Sequence, residues 1–112
     1  MALAGAYSMA GLRAAWRGEA AFRTECIAIA IALPVAAWIA EDVWQFTALI
    51  GSMLLVMIVE IINSAIEAVV DRIGTERHPL SGQAKDLGSA AVMLATILSL
   101  MIWAAVIVNR FT

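Results

Sequence analysis

The sequence predicts an all-α integral membrane protein, with an N-terminal amphipathic surface helix followed by three transmembrane helices. Three observations carry this prediction. Hydrophobic residues make up 63% of the 112 residues, where soluble domains run at about 45–50%, and the mean hydropathy is +0.92. Three stretches, 26–40, 43–59 and 87–109, contain no charged side chain. Six of the seven lysines and arginines fall on one side of the topology that those stretches define.

Taken in order, residues 2–23 mix Tyr7, Leu12, Trp16 and Phe22 with Arg13, Arg17, Glu19 and Arg23, the pattern of an interfacial helix leading into the first span. The first span is short unless it extends back through Ala20, Ala21 and Phe22, with Arg23 and Glu25 facing a polar interface or a protein cleft. Pro34 lies within it, where neighbouring helices can absorb a kink. Glu41 and Asp42 form a very short connection, so the first two spans make an antiparallel hairpin. The second helix continues past Val59 to about Asp71. The segment 74–82, with Gly74, Pro79 and Gly82, reads as a turn-rich loop. The third span has 23 uncharged residues, against the roughly 20 that cross a bilayer. Ala28, Ala32 and Ala36 mark close helix packing, and Trp16, Trp38, Trp44 and Trp103 read as interfacial anchors. Residues 1–112 are expected to form a single membrane-embedded domain. The arginines at 13, 17 and 23 come too late for a signal peptide.

Arg13, Arg17 and Arg23 precede the first span, Arg72, Arg77 and Lys85 lie between the second and third, and only Arg110 lies on the other side. By the positive-inside rule the N-terminus and the second loop are cytoplasmic. The single cysteine, Cys26, excludes an internal disulfide and reads as a packing residue.

The chemistry is expected on the second span. Glu60, Asn63, Glu67 and Asp71 interrupt its apolar run at spacings that place all four on about one third of the helix circumference. A carboxylate in a bilayer costs several kcal/mol, on the order of 3 at a helix centre, so this stripe needs a partner, a cation or a water-filled cleft. Glu67, with Glu19 as a second ligand, suits a hard cation such as Mg²⁺ that also takes phosphate oxygens. Glu60 is deeper and suits a general base acting on a group that stays in the membrane, with Asn63 one turn away to hydrogen-bond it. Lys85 and Asp86 lie within reach at the cytoplasmic end, while His78 beside Pro79 reads as a lone loop histidine. No soluble nucleotide-binding loop is present. These residues define a cytoplasm-facing, carboxylate-lined site without fixing the reaction. A small proton-coupled transporter is the alternative, although its site belongs at the midplane.

Two runs narrow the choice. EIINSAIEAVVDR at 60–72 and AKDLGSAAV at 84–92, with GLRAAW at 11–16 and EAAFR at 19–23, closely resemble the signature regions of the small bacterial integral-membrane diacylglycerol kinases. The resemblance runs from Tyr7 onward and implies a homotrimer in the bacterial inner (cytoplasmic) membrane, with composite sites between protomers. It implies transfer of the γ-phosphate of MgATP to the primary hydroxyl of diacylglycerol, giving phosphatidic acid, or to undecaprenol as in related enzymes. By motif position, Glu60 is the expected base with Asn63 beside it, and Glu19 and Glu67 are the expected metal ligands. Tyr7, Glu76, Arg77, His78, Lys85 and Asp86, together with Glu19 and Glu67, fall at ATP-contacting positions. Arg13, Trp16, Arg23 and Ser89 fall at lipid-site positions. One departure stands out: the chain begins Met1, Ala2, Leu3, Ala4, Gly5, Ala6, where well-known members carry basic residues in a longer segment. A phosphate or lipid contact from that segment is expected to be missing.

Overall fold

The computed structural model describes residues 2–74 and 76–112, which are helical apart from three short connections and the C-terminal residue. Four helices follow in order: α1 (Ala2–Gly18), α2 (Ala20–Ile39), α3 (Val43–Ile73) and α4 (Pro79–Phe111). The last three are long and apolar enough to cross a membrane.

The surface helix ends at Gly18, earlier than the Arg23 read from the sequence. Glu19 is extended (φ −120°, ψ 104°) and its side chain makes no capping bond. The break is held by Arg23, whose guanidinium reaches back across it. Its Nη1 donates to the carbonyls of Trp16 at 2.6 Å and Arg17 at 3.3 Å. These are C-terminal carbonyls that α1 cannot satisfy internally.

The hairpin between α2 and α3 is tight because its residues cap one another. Asp42 accepts from the Gln45 backbone N–H at 2.8 Å, and Gln45 Oε1 accepts from the Glu41 N–H at 2.9 Å. Asn109 donates to Glu41 at 3.4 Å and Trp38 meets Phe111 edge-on, tying the hairpin to the end of α4. α2 remains helical through Pro34.

The second loop is also shorter than the sequence suggested. Gly82 belongs to α4, which starts at Pro79. Proline suits a first helical position because its fixed φ matches the helix and the N–H it lacks has no partner there. His78 caps the start, its Nδ1 accepting from the Leu80 N–H at 3.1 Å. With 33 residues, α4 is about 50 Å long, against a hydrocarbon core of about 30 Å. Its first two turns, carrying Lys85, therefore precede the apolar run that begins at Leu87.

The core lies toward the hairpin end. Ala36 and Leu49 are fully buried, and with Ile39 and Val106 they form one cluster. Ala32 and Ala36 lie one turn apart on the buried face of α2, with Ala28 half-buried on the same line. Deeper in the α3–α4 interface, the hydroxyls of Ser52 and Ser99 meet at 2.9 Å, and Ser52 donates to the Leu49 carbonyl at 2.8 Å. The same carbonyl accepts from Trp103 Nε1 at 3.2 Å. Trp103 therefore joins two helices instead of anchoring at an interface, while Trp16, Trp38 and Trp44 are exposed.

Ala36→Leu should overpack this cluster and destabilise the fold by about 1–3 kcal/mol. Ala37→Leu, on the exposed neighbouring position, should leave thermal unfolding in detergent nearly unchanged. Equal unfolding midpoints for the two variants would contradict the packing described.

Candidate active site

α3 carries its polar face into a cavity of about 460 Å³ bounded by all four helices. Glu60, Asn63, Ser64 and Glu67 line it from α3, Ser89 from α4, and Phe22 from α2. Gly11, Ala14 and Ala15 form the α1 wall, where small side chains leave the volume open. Glu19 enters from the break between α1 and α2. Because that carboxylate is not spent on capping, it is available to the cavity. Glu60, Asn63, Glu67, Glu19 and Ser89, five of the residues singled out from the sequence, therefore share one space.

Asn63 and Gly88 set the width of the α3–α4 crossing. The Asn63 amide nitrogen donates to Glu67 Oε1 at 3.2 Å, which turns its oxygen toward Gly88. Gly88 is buried, and a Cβ built there would overlap Asn63 Oδ1 and lie 3.0 Å from Asn63 Cγ. A larger residue at 88 would require the Asn63 side chain to move. Among the described residues, the buried side-chain oxygens left without a hydrogen-bond partner are Glu25 Oε2, Glu60 Oε2 and Asn63 Oδ1. Two of the three belong to residues that line this cavity, which therefore offers acceptors to an incoming donor.

A second cavity of about 570 Å³ lies one turn further along α3. Asp71, Glu76, Arg77, His78 and Lys85 line it, and Lys85 Nζ contacts Asp71 Oδ1 at 2.8 Å. Both partners are about half exposed, so the pair adds little stability; it places a cation at the mouth of a cleft. Glu67 and Asp71, four residues apart on one face of α3, connect the two cavities.

The remaining sequence-selected residues fall outside both cavities. Tyr7, Arg13 and Trp16 are exposed on α1, and Asp86 is exposed on α4. Arg23 is engaged with the end of α1. The sequence placed Glu25 only against a polar interface or protein cleft; on α2 it is half-buried, and its Oε2 lacks a hydrogen-bond donor. A charge two residues beyond Arg23 in an otherwise apolar span was the available signal.

Among the described residues, no three His, Cys, Asp or Glu side chains gather as a metal cluster. Glu19 and Glu67 do share the first cavity. Two carboxylates suit a hard cation that completes its shell with phosphate oxygens and water.

The fold and site together define an all-helical membrane protein with a carboxylate-lined cleft at one end of its spans. The family model described as prokaryotic diacylglycerol kinase matches residues 6–107. The chain is 55% identical over 108 residues to a diacylglycerol kinase of Escherichia coli, covering 96% of this chain and 88% of the relative. It is 46% identical over 101 residues to that of Haemophilus influenzae, covering 90% and 86%. It is also 46% identical over 103 residues to that of Pseudomonas aeruginosa, covering 92% and 84%. The chain belongs to the prokaryotic diacylglycerol kinase family.

Gly88→Ala should push Asn63 aside and cost about 1–3 kcal/mol in thermal unfolding. In an Asn63→Ala background the same change should cost less than half as much, because the atom it meets is gone. Additive costs would show that the crossing is not limited by this contact.

Proposed function

We propose that this chain is a single-domain membrane kinase, residues 1–112, that transfers the γ-phosphate of ATP to the primary hydroxyl of diacylglycerol and releases phosphatidic acid. Membership of the family supports the activity, and the three relatives named above are all called diacylglycerol kinases, which favours diacylglycerol over undecaprenol. The observation that carries the reading is Glu60: a buried carboxyl oxygen without a donor, in a cavity that also holds Glu19 and Glu67.

Phosphoryl transfer asks the protein mainly for positioning and charge neutralisation. In this reading Glu60 Oε2 accepts the hydroxyl proton of a lipid whose chains remain in the membrane. Asn63, held by its bond to Glu67, steers the hydroxyl. Glu19 and Glu67 would hold Mg²⁺, which when bound neutralises phosphate charge. Lys85 at the mouth of the second cavity receives the nucleotide phosphates, exchanging its contact with Asp71 for them. Glu76, Arg77 and His78 line the same cavity, and Asp86 and Tyr7, outside it, are assigned to the nucleotide by motif position alone. Arg13, Trp16, Arg23 and Ser89 flank the lipid.

The excess of arginine and lysine at the cleft end supports a cytoplasm-facing site in the inner membrane. Only 17–22% of each span's most apolar window is buried within the protomer. That leaves long apolar faces for lipid and sister protomers, which suits a homotrimer with shared sites. A transporter is disfavoured because the carboxylates climb to the helix end beside Lys85.

The reading is tested by assaying the purified chain in detergent micelles with MgATP and either lipid. Phosphatidic acid is the expected product; undecaprenyl phosphate alone would reassign the acceptor, and no lipid-dependent ATP consumption would remove the kinase reading. Glu60→Gln should lower turnover by about 10²–10⁴-fold while ATP still binds, as measured by nucleotide titration. Glu19→Gln and Glu67→Gln should raise the Mg²⁺ concentration needed for half-maximal activity. At a Mg²⁺ concentration too low for Glu19→Gln to act alone, mixing it with Glu60→Gln protomers should restore part of the activity; no rescue at any ratio would place a complete site in each protomer.

A further inference from the structure

Asp71 lines the second cavity, and the mechanism above gives it no part beyond its contact with Lys85. Its carboxylate leaves the last turn of α3 and meets Lys85 Nζ, from the second turn of α4, at 2.8 Å. A second cation, Arg77, and a second carboxylate, Glu76, line the same space. His78 lines it too, but its Nδ1 already accepts from the Leu80 N–H. Two cations therefore face two carboxylates, and with His78 neutral the formal charges of the lining cancel.

A space that takes nucleotide phosphates gains from net positive charge, which concentrates anions, and each carboxylate beside the cations offsets that pull. Asp71 does so at closest range. A phosphate oxygen that bonds Lys85 Nζ has to come within a few ångströms of Asp71 Oδ1, because the ammonium and the carboxylate are 2.8 Å apart. Either the carboxylate yields the ammonium, or two anions crowd one cation. Both routes weaken the phosphate contact. Lys85 and Asp71 are each about half exposed, so water screens the pair and lets the carboxylate swing aside. The effect is moderate, large enough to adjust affinity and too small to block the cavity.

We infer that Asp71 sets nucleotide affinity: its carboxylate competes with phosphate for the Lys85 ammonium and weakens the hold on ATP and on the ADP left after transfer. The inference rests on the kinase reading above, in which Lys85 receives the nucleotide phosphates. Both nucleotides present phosphate at this cation, so the competition acts on substrate and product alike. As ADP leaves, the carboxylate is in place to reclaim Lys85, which returns the cavity to its neutral state.

The test measures binding instead of turnover. MgADP and MgATP are titrated by calorimetry into the full chain in detergent micelles, for the parent, Asp71→Asn and Asp71→Glu. Asp71→Asn should tighten both nucleotides about two- to five-fold at low salt, the scale of an exposed ion pair. The gain should fall below about two-fold at about 1 M salt, where the screening length shrinks to about 3 Å. Asp71→Glu keeps the charge and should stay within about two-fold of the parent. In a Lys85→Met background the asparagine substitution should bring less than half the gain, because the contested ammonium is gone. Unchanged or weaker binding in Asp71→Asn, or an equal gain with and without Lys85, overturns the inference while the kinase reading stands. A parent chain that binds neither nucleotide overturns both. If Asp71→Asn does not assemble, Asp71→Ser takes its place with the same expected gain.

Discussion

Carboxylates within the span of a bilayer are tolerated only where protein, cation or water surrounds them, and α3 carries two, Glu60 and Glu67, on one face. Much of the architecture follows from meeting that demand. α1 folds back at Glu19 and offers a wall of glycine and alanine, which leaves the carboxylates a cavity instead of packing over them. α4 comes close enough at Gly88 to hold Asn63 in place, and Asn63 in turn bonds Glu67. The polar face is thus enclosed by backbone and small side chains, with open volume retained for a ligand.

The two ends of the chain's helical bundle divide the work. Toward the hairpin, Ala36, Ile39, Leu49 and Val106 pack into a cluster, and the Ser52–Ser99 and Trp103–Leu49 bonds stitch α3 to α4. Toward the opposite end the helices separate around the two cavities. A rigid hairpin end suits phosphoryl transfer, which depends on donor and acceptor being held in line more than on covalent chemistry. It also lets small side chains at the cleft end open space for substrate without loosening the whole bundle.

Two capping arrangements set the geometry of the cleft. Arg23 satisfies the end of α1 and so fixes the bend that brings Glu19 inward. His78 and Pro79 start α4 early, and the additional turns carry Lys85 alongside Asp71. Both are short-range devices. Each acts at a distance because a helix transmits direction over its whole length.

The sequence by itself determined the fold class, the three spans and the polar stripe on the second. Hydropathy and helical periodicity are local properties, and a bilayer leaves helices as almost the only way to satisfy a spanning backbone. The gathering of Glu60, Asn63 and Glu67 was likewise legible, since one helix face fixes their spacing. That Glu19 joins them was expected, but how it does so was not: it depends on a break at Gly18, where an amphipathic pattern continues to Arg23. That a side chain at 88 would meet Asn63 depends on how closely α3 and α4 cross. Ser52 meeting Ser99, and Trp103 bonding the Leu49 carbonyl, join residues 47 and 54 positions apart. No periodicity encodes such meetings; they arise only when the helices pack and their faces are set against one another.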